Sequence, residues 1–205
     1  MGREQGLYRK SPAAGEVFGA TRIGAFSAEH PVVFVLAAIA LLAISAQVVI
    51  PVGPVPFTMQ VFAMAFIAAA FPLDRALETV GGYVAAGALG APVFAGLKGG
   101  AVTLLGPTGG FIWGMIPGVI VACLTVAALK MLPAIRRNEA LRFAAGAAAG
   151  ILCTAVMYLC GCVQFSLLFG ADVATTLAVC VTPFILPDLA KITLAAFVAV
   201  KARLL

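Results

Sequence analysis

The stretch KGGAVTLLGPTGGFIWGMIPGVIVACLTVAALKML, residues Lys98 to Leu132, runs from a glycine-rich segment into a long apolar one. From Phe111 onward it carries no charge before Lys130. That is enough helix to cross the roughly 30 Å of a hydrocarbon core. Its residues do not alternate apolar with polar, as barrel strands facing lipid on one side must, so the segment reads as a helix. Other apolar runs of similar kind follow and precede it. The 205 residues are 63% hydrophobic and 10% charged, against about 25% charged for a soluble domain. The chain is therefore expected to be an all-α integral membrane protein.

Working outward, the sequence predicts six spans. The first is Val32 to Ile50, closed by PVGPVP, and the second Phe57 to Phe71, ending at PLDR. The third, Ala76 to Leu89, is interrupted by Gly81, Gly82, Gly87 and Gly90. A long glycine-rich loop, Ala91 to Gly109, separates it from the fourth span, Phe111 to Leu132. The fifth is Ala140 to Phe169 and the sixth Pro187 to Ala202. Ala174 to Ile185 is too short to cross alone and reads as a re-entrant or outer segment. Residues 1–30 mix charges and glycines without an apolar core. They are expected to be a polar cytoplasmic tail, with an interfacial turn around Val17 to Phe26, rather than a signal peptide. Residues 31–205 form the six-helix domain.

Orientation follows from the basic residues. With the amino terminus in the cytoplasm, Arg3, Arg9, Lys10, Arg22, Arg75, Lys130, Arg136, Arg137, Arg142, Lys201 and Arg203 all lie inside. Only Lys98 and Lys191 fall outside, so the net charge of +5 is a topology signal and needs no nucleic acid. A charge placed near apolar depth costs about 2.5–3.5 kcal/mol on insertion scales, which makes both lysines candidates for function. In PFILPDLAK, Pro183 to Lys191, Pro187 suits the first turn of a helix and Asp188 falls within it. Asp188 and Lys191 share a helical face and can pair with each other. Alternatively, Asp188 accepts hydrogen bonds from a ligand while Lys191 orients it, and Lys98 neutralises a ligand carboxylate.

The glycine-rich run does not fit a phosphate loop, which requires G-x-x-x-x-G-K-[ST]. Its glycines instead suit close backbone approach, either over a solute or simply in a tight turn. The five cysteines (Cys123, Cys153, Cys160, Cys162 and Cys180) have no metal or CxxC spacing and read as small packing residues. His30 stands alone at the start of the first span and reads as interfacial. With no histidine cluster or nucleophile–base arrangement, an enzyme is not expected, nor is a metal or cofactor.

PVPFTMQ, then PVFAGLKGGAVTLLGPTGGFIWG, then PFILPDLAK, in that order on six spans, resemble the BioY family. These are the biotin-specific substrate-binding components of energy-coupling factor (ECF) transporters. The resemblance covers residues 32 to 204. It implies a compact six-helix fold with both termini cytoplasmic, in the inner membrane of a bacterial cell. It also implies biotin capture on the outer side, and pairing with a transmembrane coupling subunit and two ATPases that alone bind ATP. By position, the loop Gly106, Pro107, Thr108, Gly109 and Gly110 would cover the pocket. Asp188 and Lys191 would address the ureido ring, and Lys98 the valerate carboxylate. Tyr83, Phe94 and Gln164 are further candidates for the pocket wall. Ala37, Ala40, Ala43 and Ala46 recur every three residues on the first span and would dock the coupling subunit. The sequence departs from the family pattern at Pro187, at Phe111 and at Lys98. A self-contained secondary transporter for a small carboxylate-bearing vitamin is the rival reading; it would want ionisable residues at the bilayer middle.

Overall fold

The computed structural model describes residues 22–51 and 53–205, so Arg3, Arg9, Lys10 and the expected tail through residue 21 lie outside the described residues. The described part of the expected tail is a helix, α1 (Arg22–Glu29). Then come α2 (Pro31–Gln47), a two-residue hairpin of β1 (Val49–Ile50) and β2 (Phe57–Thr58), α3 (Gln60–Ala70) and α4 (Leu73–Ala88). A one-turn helix α5 (Ala101–Leu105) leads into α6 (Gly109–Leu129), followed by α7 (Pro133–Arg137) and α8 (Glu139–Phe169). The chain closes with α9 (Val173–Cys180), a 3-10 turn (Thr182–Phe184) and α10 (Ile185–Lys201).

Among the described residues, α6, α8 and the apolar stretch Val173–Lys201 are long and apolar enough to cross a membrane. α2 and α3 are apolar but shorter, and α4 carries Asp74, Arg75 and Glu78 in its first turns. Length and apolarity thus establish three spans rather than the six expected from sequence. The expected re-entrant segment is α9 with its 3-10 turn. Nor is the third element broken by its glycines. α4 runs unbroken through Gly81, Gly82 and Gly87, because Gly87 is where the Phe94 ring packs against the helix; a Cβ there would overlap the ring. The loop after α4 is also less irregular than expected: it holds a bridge between Phe94 and Lys98 and the single turn α5.

The most extensive packing is α6 against α8. Gly114 and Gly118 of α6 face Met157 and Cys153 of α8, and small residues let the two backbones approach closely. α3 sits against α6, α8 and α10, and its buried residues Met64, Ile67 and Ala68 fill the centre with Leu42, Val80 and Val119.

Three of the basic residues expected on the inner side meet at one end of the bundle. Arg136 donates to the Lys130 carbonyl at 2.7 Å, Lys201 pairs with Glu139 at 2.5 Å, and Lys130 reaches the Leu204 carbonyl at 3.5 Å. These contacts gather the end of α6, the start of α8 and the end of α10 at one end of the bundle. Lys98 and Lys191 lie towards the other end, around the mouth described next.

Candidate binding pocket

α10 begins at Ile185, two residues before Pro187, so the proline occupies the first turn where its missing N–H costs nothing. This places Asp188 and Lys191 one turn apart on the buried face, 4% and 6% exposed. Lys191 Nζ donates to Asp188 Oδ1 at 2.7 Å and to the Thr58 carbonyl at 2.6 Å, and lies 3.4 Å above the Phe57 ring. The Tyr158 hydroxyl, from α8, donates to Asp188 Oδ2 at 2.6 Å. A buried ion pair is tolerated only when further hydrogen bonds satisfy it, and here each partner has one or more. The carboxylate offers about four acceptor positions, of which Lys191 and Tyr158 use two. The remainder can receive N–H donors from a ligand.

Asp188, Lys191 and Tyr158 line a cavity roofed by Pro54 to Pro56 of the β1–β2 loop. Its apolar walls come from Phe94, Phe111, Ile112, Met115, Met157 and Phe184. Thr108, Thr103 and Lys98 belong to the lining on the glycine-loop side. Lys98 is exposed, and it is held by a tight turn in which Phe94 and Lys98 exchange backbone hydrogen bonds of 2.9 and 3.3 Å. Gln47, at the end of α2, braces that turn: its amide donates to the carbonyls of Val93 and Phe94, and its oxygen accepts from the Leu97 N–H at 2.9 Å. The cavity therefore has an acidic pole with its own counter-ion, an apolar waist and the Lys98 cation at the rim. It suits a small molecule with adjacent N–H donors, an apolar body and an anionic tail.

Five of the expected pocket residues (Asp188, Lys191, Lys98, Thr108 and Phe94) line this cavity, and four do not. Tyr83 is wholly buried behind Phe94, edge-on at 5.5 Å; its hydroxyl donates to the Val93 carbonyl and accepts from Gln60. It stands one layer behind the wall that the sequence reading gave it. Gln164 turns to the glycine loop and donates to the carbonyls of Leu104 and Gly106 at 3.0 and 2.7 Å, which fixes the loop from behind. Gly106 is thereby an anchor of the loop. Gly109 sits where a Cβ would overlap the Leu104 carbonyl and approach the Gln164 amide, so its smallness serves packing.

Sequence reasoning missed Tyr158, Gln60, Phe57 and the two methionines. Tyr158 carried a usable signal, as a hydroxyl in a strongly apolar span wants a buried partner.

Residues 20–205 match the BioY family. The chain belongs to that family. It is 35% identical to the biotin transporter BioY of Thermotoga maritima, over 80% of this chain and 90% of that protein. It is 32% identical to a probable biotin transporter BioY of Pyrococcus horikoshii, over 78% of this chain and 88% of the other. The fold resembles the crystal structure of the S-component for biotin from an ECF-type ABC transporter. The TM-score is 0.72 at 22% identity, covering 86% of this chain and 92% of that one.

In this BioY chain the alanine row on α2 does not keep to one face. Ala37 and Ala40 are exposed, Ala43 is half-buried, and Ala46 is sealed in the core. A spacing of three falls short of the 3.6-residue turn, so the row winds about 60° per step and enters the bundle. The exposed face of α2 is formed by Val33, Leu36, Ala37, Ala40 and Ile44.

Proposed function

We propose that this chain is the biotin-binding membrane component of an ECF-type vitamin uptake transporter. The observation that carries the reading is the buried Asp188–Lys191–Tyr158 group facing an apolar cavity that has Lys98 at its rim. Asp188 accepts from the ureido N–H groups, and Phe94, Phe111, Met115 and Met157 enclose the thioether ring. Lys98 neutralises the valerate carboxylate, and Thr108 and the loop from Gly106 to Gly110 close over it. Tyr83 and Gln164 act one layer back, the first by setting Phe94 and the second by holding the loop. Relatives named as biotin transporters support the ligand assignment.

The mouth faces outward and the basic end lies in the cytoplasm of a bacterial cell with both termini, a reading supported by the clustering of positive residues at the far end. In this reading α2, α3, α4, α6, α8 and the α9–α10 unit are six spans, with α3 extended by the strand before it. The chain catalyses no reaction. A transmembrane coupling subunit and two ATPases would supply the energy, with α2 meeting the coupling subunit through Ala37 and Ala40.

Equilibrium titration of the purified protein with biotin and desthiobiotin, against thiamine and riboflavin, tests the assignment. Saturable binding of the first pair alone is expected. Equal binding of all four, or of none, overturns it.

A further inference from the structure

Two thiols lie beside the pocket and have no role in the reading above. Cys162, on α8, packs against Cys180, the last residue of α9, in an apolar cluster with Val55, Phe165 and Phe184. The two side chains meet in that cluster, one from each of two adjoining helices. Cys180 lies against the cavity; Cys162 and Cys160 are half-buried, Cys160 packed over Gly114 of α6. Cys123 and Cys153, in contrast, are sealed among the core residues of α6 and α8. Cysteines can be bridged where their Cα atoms lie within about 7 Å and their Cβ atoms converge, and packing in one cluster on adjoining helices brings these two together; such bonds persist on the oxidising side of a cell membrane.

We propose that Cys162 and Cys180 are a redox-active dithiol, and that their oxidation ties α9 to α8 and clamps the pocket wall. The proposal rests on the outward-facing pocket of the preceding section. The oxidant is an extracytoplasmic disulfide. Cys162 loses its proton and its sulfur attacks one sulfur of that disulfide, forming a mixed disulfide and expelling one thiolate. Cys180, deprotonated in turn, displaces the second thiolate. One sulfur–sulfur bond forms in the protein as one breaks in the oxidant; two electrons pass to the oxidant, and both protons leave with its two thiols. Cys180 is four residues before Phe184, which forms part of the cavity wall. A covalent tie at Cys180 therefore restrains the segment that carries Phe184 of the cavity wall, and the clamp acts there.

The test uses the full chain in lipid nanodiscs with 4,4′-dithiodipyridine as the oxidant. Maleimide-reactive thiols, counted by mass after denaturation, should fall from five to three, with the peptides of Cys162 and Cys180 linked. Bound radiolabelled biotin should leave the oxidised protein more slowly, and reductant should restore the rate. C162S, checked for folding by biotin binding under reducing conditions, should keep its four remaining thiols and its unaltered release rate. Five surviving thiols, a stable pyridylthio adduct on Cys162, or a link between Cys123 and Cys153 instead overturns the dithiol. Equal release from oxidised and reduced protein overturns the clamp. Because thiol counting needs no biotin, a linked pair in a chain that fails to bind biotin would count against the proposed function and leave the dithiol standing.

Discussion

Replacing Asp188 by asparagine keeps the shape of the side chain and removes its charge. In the structure that carboxylate accepts from Lys191 at 2.7 Å and Tyr158 at 2.6 Å while 4% exposed. An amide has one acceptor oxygen in place of two, so Tyr158, Lys191 and the ligand N–H groups must compete for it. A hydrogen bond to a charged group is worth about 1.5–3 kcal/mol. Each 1.4 kcal/mol is tenfold in affinity, so biotin should bind roughly 10- to 150-fold more weakly to Asp188→Asn. The same change strands the Lys191 ammonium, and breaking a buried pair from one side costs about 3–5 kcal/mol of stability, softened here by Thr58 and Phe57. The two losses separate in the double variant Asp188→Asn with Lys191→Met, which no longer buries an unpaired charge. Its thermal midpoint in detergent should recover most of the way to the parent value, while isothermal titration should still find weak binding. A double variant that binds biotin as tightly as the parent would refute the reasoning, because the pair would then be purely structural.

Other expectations follow from single contacts. Lys98→Ala should weaken biotin more than a biotin amide lacking the carboxylate; equal losses in competition titrations would remove Lys98 from that role. Gln47→Ala frees the turn that carries Lys98, so affinity should fall by a smaller factor than for Lys98→Ala while the thermal midpoint changes little, and a loss exceeding that of Lys98→Ala would argue for direct contact. Gly109→Ala drives a methyl into the Leu104 carbonyl; overpacking of this kind costs about 1–3 kcal/mol, visible as a lowered thermal midpoint. Tryptophan at Ala37 and Ala40 should block co-purification with the coupling subunit and leave biotin binding intact. Assembly that survives both substitutions would exclude this face of α2.

The membrane class and the Asp188–Lys191 pair were legible because each rests on a local rule. Apolar length and helical spacing can both be read within one segment. The partners of Tyr158 and Gln60 were not legible, since they lie 30 and 23 residues away and only the packing of α8 on α10 and of α3 on α4 joins them. The same limit explains Tyr83 and Gln164. Sequence gives depth along a helix but not which side of a neighbouring aromatic or loop a residue reaches, and both residues ended one layer behind the wall. The alanine row leaves its first face for a geometric reason, in that a period of three drifts around a helix while a continuous face needs three and four in alternation. Gly87 reads in sequence as a breaker, yet the Phe94 ring that fills its missing side chain turns it into a contact within an intact helix.

The pocket also bears on why such a chain would need an energiser. Between the Asp188–Lys191 pair and the basic end, the described core is apolar, with Leu42, Ile67, Val80, Val119, Ala122 and Ala149 all essentially sealed. No charged residue among those described stands midway along α6 or α8 to relay an ion or a proton. Moving a carboxylate through such a core carries a penalty of the size that insertion scales assign to a buried charge, about 2.5–3.5 kcal/mol, before the ligand's hydrogen bonds to the pair are broken. A secondary transporter offsets that penalty with coupling-ion sites near the midplane, and this bundle places its ionic groups at the mouth and at the far end. On the proposed function, ligand passage calls for rearrangement of the bundle or of its position in the bilayer, which the partner subunits would drive. Counterflow of biotin in vesicles holding this protein alone should accordingly be absent, and its appearance at a rate comparable with energised uptake would place the driving machinery within the chain itself.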